Sequence, residues 1–382
     1  MERKGERRIG QEVQTPAARL VPEEDTEALS IVLPADDRVG APRQAGAMRR
    51  TRRPPPVTVV VGLALVGSGV GAAAFGGPLL ERHNIYLVPP SPQRYAEAAL
   101  EQMRAGIEAR PEVYEQVRED VTAEVAQAAS YTDTYDALAR AAQTLGGGHS
   151  ELFAPDEAAE VFGGAPDDDG SPPELPTVST EAGVTTVTLP ALVGGTPSFR
   201  QGYVDTAVQG IVEAAPDTTL GWVVDLRDNH GGTLWPMLAA VTPLLDDGAV
   251  LSFEYQDHSD VVTVENGTVY LSGAPQARSR ATVEKTTLPV AVLVDGTTGS
   301  SAEGVAIAFV GQTDVRVFGQ PTYGFSTTST PVRLYDGAVI NLTVAVDADR
   351  TGQRYGSSLQ PDVLAQEDEL APAVVTWLAS AA

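Results

Sequence analysis

The chain has 382 residues and a formal net charge of −25, and it contains no cysteine. The lack of cysteine excludes disulfides, thiol catalysis and cysteine-ligated metals. Its four histidines show no spacing typical of a metal site, so we expect no metal and no other cofactor. Residues 1–56 carry 11 basic and 9 acidic side chains, which leaves 15 basic and 42 acidic ones for the rest. A body this acidic excludes non-specific nucleic-acid binding and suits the attraction of cationic peptides.

Residues 1–56 are polar, with prolines and mixed charges, which predicts a disordered cytoplasmic tail. The tail ends in an arginine cluster, and no charged residue occurs from Pro54 to Leu80. We therefore predict a transmembrane helix over residues 57–78, because about 20 apolar residues span a bilayer. The arginines before this helix place the N-terminus in the cytoplasm and the rest of the chain outside the cell membrane. The alternative is a signal peptide that starts at Met48 and is cleaved near Ala72–Ala74, and it exports the same residues.

A helical N-terminal unit is predicted over residues 83–150, because apolar residues recur at helical spacing from Tyr95 to about Leu145. The unit ends in three glycines followed by His149 and Ser150. Glycines allow a backbone of positive φ and a close approach to other segments. A histidine on such a loop is a candidate general base, and the alternative is an ordinary polar loop residue.

From residue 176 to residue 370, strand and helix patterns alternate, which predicts an α/β domain. Two continuous apolar runs, 220–226 and 288–294, are each followed by a glycine-containing turn and a helix. The strands after residue 250, with the polar connection that follows them, predict a cap over residues 250–286. The other predicted elements are strands at 184–189, 250–255, 261–264, 268–271, 315–318, 332–334 and 338–346, and helices at 199–214 and 234–245.

Ser300 lies on the turn between the second apolar strand and its helix. A serine in this position has its hydroxyl near the positive end of a helix dipole, with free backbone N–H groups around it. The same N–H groups can stabilise an oxyanion, so this geometry suits a nucleophile. The alternative is that the serines and threonines of this turn only cap the helix.

A nucleophilic serine needs a base, and the lysine count restricts the choice. The chain has two lysines: Lys4 in the predicted tail and Lys285 before the strand that leads to Ser300. Lys285 is therefore expected at the end of the strand opposite to Ser300. Among the histidines, His149 is the best candidate for the base, His230 could line the site, and His258 is expected to be exposed.

The loop from Asn229 to Gly232 also follows an apolar strand and precedes a helix. The N–H groups of Gly231 and Gly232 can approach a ligand without hindrance from a Cβ atom. Together with the N–H of Ser301 they form a predicted oxyanion hole. The alternative is a tight strand-to-helix turn without a catalytic role.

Four segments in this order, residues 223–237, 292–308, 318–327 and 357–363, resemble the signature segments of the tail-specific, or carboxy-terminal processing, serine peptidases. The resemblance covers about residues 180–370. It implies a crotonase- or ClpP-like spiral of ββα units. It also implies that the serine of the Ser-x-x-Glu motif, here Ser300 with Glu303, is the nucleophile.

Two departures from the family pattern point to one branch. Many members carry a base lysine in Thr-x-Gly-Lys, where this chain has Phe325, and no room is left for a PDZ module between His149 and the strand at Val184. A branch that looks like the nisin-resistance protein shares both traits and a Gly-His-Ser loop, and it implies a Ser–His pair, Ser300 and His149. In a related branch a glutamate stands where Ser357 and Ser358 lie here. Candidate acidic partners of His149 are Asp228, Glu151 and Asp362.

These observations predict a membrane-anchored extracytoplasmic serine endopeptidase on an α/β fold. Its core is a crotonase/ClpP-like ββα spiral with a helical N-terminal unit and one N-terminal transmembrane helix. The predicted substrates are flexible peptides or unfolded protein tails, including cationic antimicrobial peptides. The alternative is a non-catalytic module in which the same groove binds peptide or lipid.

Overall fold

The computed structural model describes residues 88–162, 174–281 and 284–381. The predicted tail and transmembrane segment 57–78 lie outside these ranges. No helix within them is both long and apolar enough to cross a membrane.

Three helices open the described chain: α1 (Pro92–Gln102), α2 (Pro111–Glu124) and α3 (Tyr135–Gly146). The first two have proline in their first turn, where its missing N–H costs nothing, and Ser91 caps α1. Their buried residues recur at helical spacing and form one apolar cluster. A short strand, β1 (Glu151–Phe153), and helix α4 (Pro155–Phe162) follow.

The remaining described residues form four further α-helices and, together with β1, two sheets. The helices are α5 (Pro197–Ala214), α6 (Leu234–Ala240), α7 (Ser301–Phe309) and α8 (Glu367–Ala381). The strands are β2 (Thr177–Glu181), β3 (Val184–Thr188), β4 (Gly221–Asp225), β5 (Gly248–Glu254), β6 (Ser259–Glu265), β7 (Thr268–Leu271), β8 (Ala274–Arg278), β9 (Val290–Val294), β10 (Val315–Gly319), β11 (Thr327–Arg333), β12 (Val339–Asp349) and β13 (Val363–Leu364).

The first sheet is antiparallel, in the order β1-β12-β5-β6-β7-β8, with β11 also paired to β12. The second sheet has the order β13-β10-β9-β4-β3-β2 and is parallel except for β2. Strands β4 and β9 are neighbours and are buried along their whole length. Because they run parallel, the loops that follow them, with the two predicted site segments, leave the sheet at the same edge.

Strand β12 joins the helical unit to the rest of the fold. Ile340 and Leu342 on this strand pack into the apolar cluster of α1, α2 and α3. The hydroxyls of Tyr95 and Tyr135 donate to the carboxylate of Asp336, in the turn before β12, at 2.9 and 2.5 Å. The helical unit and the loop at its end are thus held against β12, the strand that also pairs with β11.

Several elements differ from the predictions. The connection predicted as polar and irregular contains β8, which is paired with β7, and β11 begins at Thr327, well before the predicted start at residue 332. Strands β1, β2 and β13 were not predicted, and neither were α4 and α8. The short strands have little periodicity of their own, because their pairing with β12, β3 and β10 is set by tertiary contacts.

Candidate active site

Ser300 is the N-cap residue of α7, on the turn that follows β9. Its backbone has φ 53° and ψ −121°, a region that non-glycine residues rarely adopt. Its N–H donates to Glu303 Oε2 at 2.9 Å, at the position of the glutamate in a capping box. Ser300 therefore takes the N-cap position of this helix, a position compatible with both predictions for this turn. Strain of this kind is found where a nucleophile is presented on a sharp strand-to-helix turn.

Glu303 is completely buried, and its carboxylate accepts hydrogen bonds from several surrounding backbone N–H groups. No ion pair among the described residues involves it, and its polar contacts are five hydrogen bonds. The donors are the N–H groups of Ser300 (2.9 Å), Gly324 (3.0 Å) and Phe325 (2.7 Å) and the hydroxyls of Thr322 and Ser326 (3.0 Å). Glu303 thereby fixes the nucleophile turn and the segment before β11 relative to each other.

His149 lies against this segment. Its ring stacks on that of Phe325, with centroids 4.2 Å apart and an interplanar angle of 13°. Its Nδ1 atom is 2.8 Å from Thr327 Oγ1. The ring of Phe325 therefore covers one face of the His149 imidazole.

The loop that carries His149 is anchored by the next residue. Ser150 is buried, its Oγ accepts from the N–H of Thr343 at 2.9 Å, and it lies 3.1 Å from the Thr343 hydroxyl. Gly146 has no room for a side chain, since a Cβ there would lie 2.2 Å from Ser150 Oγ. The histidine is thus fixed to β12 from one side and to Phe325 and Thr327 from the other.

Burial lowers the pKa of His149 to about 4. The imidazole is therefore neutral at neutral pH, as a general base must be. It lines a small cavity of about 160 Å³ with Gly324, Phe325 and Thr327. No hydrogen bond joins His149 to Ser300 within the described ranges. The two residues are connected indirectly, because His149 stacks on Phe325 and Glu303 accepts hydrogen bonds from the N–H groups of Phe325 and Ser300.

The loop after β4 packs directly against the nucleophile turn. Gly231 has φ 104°, and a Cβ there would lie 2.7 Å from the Gly299 carbonyl and 3.0 Å from Ser300 Cβ. The backbone carbonyl of the buried Asn229 accepts from the N–H of Gly299 at 3.0 Å, and Ser301 Oγ donates to the carbonyl of Gly232 at 2.7 Å. The loops predicted to form one site are therefore in contact.

Two of the three predicted oxyanion donors have free N–H groups. The N–H of Gly231 donates to Asn229 Oδ1 at 2.9 Å, which counts against it as a donor to a ligand. The N–H groups of Gly232 and Ser301 have no hydrogen-bond partner in the part of the chain that the structure describes. The sequence gives no sign of this difference, because both glycines look equally free.

The other predicted residues, Lys285, His258 and His230, have surroundings of their own. Lys285 donates to the carbonyls of Thr242 and Leu245, both at 2.8 Å, and pairs with Asp247. His258 is exposed and contacts Asp257. His230 is exposed beside a cavity of about 510 Å³ that Asp228 also lines. Across the described ranges, no group of three or more acidic or histidine side chains is arranged to hold a metal ion.

None of the candidate acidic partners forms a hydrogen bond with His149 among the described residues. Asp362 accepts from the N–H of Val317 at 2.8 Å, and Glu151 lies exposed on β1. The N–H of Asp228 donates to Asp295 at 3.1 Å. The polar partner of His149 is Thr327, which was missed because a threonine at a strand start carries no catalytic signature.

A second buried carboxylate, Asp347, lies near Glu303. Burial, together with the negative charge of Glu303, raises the pKa of Asp347 to about 7, although the Thr328 hydroxyl donates to it at 2.9 Å. Asp347 Oδ2 would lie 3.8 Å from a Cβ placed on Gly304, in the first turn of α7. Ionisation of this group thus acts next to the helix that Ser300 begins.

The fold agrees with one protein class. Residues 196–365 match the model of peptidase family S41, and the mixed α/β structure is that of S41 peptidases. Residues 196–365 therefore form a domain of this family, which includes the C-terminal processing proteases. The family predicted from the four sequence segments is confirmed.

Known proteins resemble more of the chain. It is 29% identical over 302 residues to a nisin-resistance protein of Lactococcus lactis subsp. lactis, across 78% of this chain and 91% of that protein. It is 30% identical over 125 residues to the carboxy-terminal processing protease CtpA of Bacillus subtilis (strain 168), across 33% of this chain and 24% of that protein. The solved structure of a lipoprotein from Streptococcus agalactiae has a similar fold, with a TM-score of 0.66 and 24% identity, across 78% of this chain and 99% of that one.

Proposed function

We propose that the protein is a membrane-anchored extracytoplasmic serine endopeptidase in which Ser300 is the nucleophile and His149 the base. The observation that carries the proposal is the shared frame of the two residues. Glu303 binds the Ser300 N–H and the Phe325 N–H, and Phe325 stacks on His149. The S41 domain supports peptide-bond chemistry at this frame.

In this mechanism, His149 Nε2 takes the proton of Ser300 Oγ while Oγ attacks the carbonyl carbon of a peptide bond. The N–H groups of Ser301 and Gly232 then donate to the oxyanion of the tetrahedral intermediate. The imidazolium returns the proton to the leaving amine. Water, activated by the same histidine, releases the second product from the acyl-enzyme. Gly231 contributes by leaving space beside Ser300.

In this proposal, the hydrogen bond between Ser300 and His149 forms when substrate is bound. No hydrogen bond joins the two side chains among the described residues, and catalytic hydrogen bonds are often long before a substrate orders the site. The lysine alternative is disfavoured because Lys285 is held by two carbonyls and Asp247. The neutral state of His149 supports its role as a base.

The proposed substrates are flexible peptides or protein tails, with cationic antimicrobial peptides as the first class to test. Similarity to a nisin-resistance protein over 302 residues supports this choice. The charge of the chain outside the tail, with 15 basic and 42 acidic residues, favours cationic substrates. The strands β5–β8 are proposed as a cap over the substrate path.

Residues 57–78 are proposed as the membrane anchor, with the peptidase domain outside the cytoplasm. The support is the run of 27 residues from Pro54 to Leu80 without a charge, which follows an arginine cluster. The full chain is expected to stay in the membrane pellet after carbonate extraction, whereas a chain that lacks residues 57–78 is expected to be released. Release of both would contradict the anchor.

A second candidate function is a non-catalytic module that binds peptide without cutting it. The specific observation in its favour is the missing hydrogen bond between Ser300 and His149 within the described residues.

Cleavage of a cationic peptide by the purified full chain, followed by mass spectrometry, separates these functions. Peptide products are expected with the wild type and with Thr330→Val, an exposed position on β11, but not with Ser300→Ala. Tight binding of intact peptide without products would support the binding module and refute the peptidase.

A further inference from the structure

We propose that Thr327 is the positioning residue of His149, and that its hydroxyl accepts a hydrogen bond from Nδ1–H so that Nε2 is free to accept a proton. This inference rests on the proposed function and deepens it. In serine peptidases of the Ser-His-Asp type, a carboxylate holds the histidine in the correct tautomer. Here the ring nitrogen has a neutral hydroxyl as its partner, at 2.8 Å.

The partner could have been an acid, but the acids near the site have other contacts. Glu303 is committed to five donors around the Ser300 turn. Asp347 accepts a hydrogen bond from the hydroxyl of Thr328. No carboxylate within the described ranges forms a hydrogen bond with His149. The choice between the two tautomers therefore depends on one hydroxyl.

The two directions of this hydrogen bond have different chemical consequences. If Nδ1–H donates to Thr327 Oγ1, Nε2 carries the lone pair that can take the Ser300 proton. If the Thr327 hydroxyl donates to Nδ1, Nε2 carries the hydrogen and cannot act as a base. When Nε2 is protonated during catalysis, both ring nitrogens become donors, and Oγ1 then stabilises the charge at Nδ1–H.

The structure holds the Thr327 hydroxyl in place. Thr327 begins β11, is paired with Val346 of β12, and donates its N–H to the Phe325 carbonyl at 2.7 Å. A β-branched side chain has few rotamers, so the position of Oγ1 follows from the backbone. Since Ser150 ties the histidine loop to the same β12 through Thr343, one strand determines the distance between His149 and Thr327.

A neutral partner also agrees with the electrostatics of His149. A carboxylate next to the ring would raise the histidine pKa, whereas burial without a charged partner lowers it to about 4. Such a base is weaker but is not lost to protonation at moderately acid pH. The hydroxyl therefore orients His149 without charging it.

Three variants of the full chain test the inference: Thr327→Val removes the hydroxyl at nearly constant shape, Thr327→Ser restores it, and Thr330→Val makes the same change at an exposed position of the same strand. The first readout is the rate at which a fluorophosphonate labels Ser300. Thr327→Val is expected to slow labelling about 10- to 100-fold, the loss of one hydrogen bond to a charged group. Thr327→Ser and Thr330→Val are expected to stay within about 3-fold of wild type. Equal rates for the valine and serine variants of Thr327 would overturn the inference.

The second readout does not depend on activity. Nitrogen NMR of the histidine rings in ¹⁵N-histidine-labelled protein, assigned with His149→Gln, distinguishes the two tautomers. Wild type is expected to carry hydrogen on Nδ1 of His149, and Thr327→Val is expected to shift the population towards Nε2–H. Hydrogen on Nε2 in wild type, or no change in the valine variant, would overturn the role of Thr327. Absence of labelling in wild type, with the expected tautomer, would instead refute the proposed peptidase.

Discussion

Ser300 and Phe325 donate their backbone N–H groups to the same oxygen atom, Oε2 of Glu303, at 2.9 and 2.7 Å. One of these residues is the proposed nucleophile and the other is the wall on which the proposed base stacks. The glutamate of the Ser-x-x-Glu motif therefore has a structural task that the motif does not reveal. It relates the two halves of the site through one buried carboxylate.

Replacing Glu303 by glutamine tests this task. Glutamine replaces one carboxylate oxygen by an NH₂ group, which cannot accept the hydrogen bonds that this oxygen accepts in the wild type. The free energy of unfolding is therefore expected to fall by about 1–3 kcal/mol. Labelling of Ser300 by a fluorophosphonate is expected to slow at least about tenfold, because both the turn and Phe325 lose their anchor. Urea unfolding and labelling rates provide the two measurements.

Glu367→Gln is the matched control for this change. Glu367 has a side chain that is 81% exposed and pairs with Arg227 on the surface. Its replacement is expected to alter the free energy of unfolding by no more than about 0.5 kcal/mol. Equal effects of the two substitutions would contradict the proposed role of Glu303 in fixing the Ser300 turn and Phe325.

The pH dependence of the reaction is expected to reflect the buried state of His149. The base must be neutral, and burial lowers its pKa to about 4. The rate of Ser300 labelling is therefore expected to be constant from about pH 8 to pH 5 and to fall only near pH 4. An acidic limb near the ordinary histidine pKa of about 6.5 would contradict this account.

The same residue contributes to stability with a definite sign. Because the folded-state pKa of His149 is below the unfolded-state value, the unfolded chain binds the extra proton first. The contribution is fully present above about pH 6.5 and is lost as the pH falls towards 4. In His149→Gln this part of the acid destabilisation is expected to disappear from urea unfolding curves.

Asp347 is expected to act in the opposite direction. Its pKa is raised to about 7 by burial and by Glu303, so the folded state holds a proton that the unfolded state releases near pH 4. Stability is therefore lost as the pH rises from about 4 to 7, by up to about 4 kcal/mol. The isosteric Asp347→Asn variant has no carboxyl to ionise, so it removes this loss. The difference in stability between the variant and the wild type is therefore expected to favour the variant more at pH 8 than at pH 5. A relative stability that does not change with pH would contradict the shifted pKa.

How much of the site was predictable depends on the range of the interactions. Ser300 and His149 were predicted because glycines and small residues surround them in the sequence. The hydrogen bond between Glu303 and Phe325 joins residues 22 positions apart in the sequence, and the contact between His149 and Thr327 joins residues 178 positions apart. Neither leaves a local pattern, since each depends on how β11 and β12 are placed. For the same reason the pairing of the Gly231 N–H with Asn229 was not foreseen.

The fold shows the same division. The apolar runs that became β4 and β9 were predicted because strands buried on both faces are apolar throughout. Strand β1 has three residues and β13 has two, and both exist only through a neighbouring strand. Patterns of side chains cannot reveal elements this short.

Gly231 offers a steric test of the contact between the two loops. Gly231→Ala places a Cβ 2.7 Å from the Gly299 carbonyl on a backbone of φ 104°, which we expect to cost about 1–3 kcal/mol and to displace Ser300. Gly202→Ala is the matched control, because a Cβ there meets nothing within 4 Å. In the helix Pro197–Ala214 it is expected to stabilise the protein by roughly 0.5–1 kcal/mol. Thermal unfolding measures both, and tolerance of alanine at Gly231 would contradict the close packing.

The central claim, that Ser300 is a nucleophile activated by His149, is tested most directly by fluorophosphonate labelling of the full chain with the modified residue located by peptide mass spectrometry. The account predicts one adduct, on Ser300, which forms at least about a hundredfold more slowly in His149→Ala and is absent in Ser300→Ala. Ser301→Ala is expected to keep the adduct on Ser300. An unlabelled wild-type protein, or labelling that is unchanged in His149→Ala, would contradict the claim.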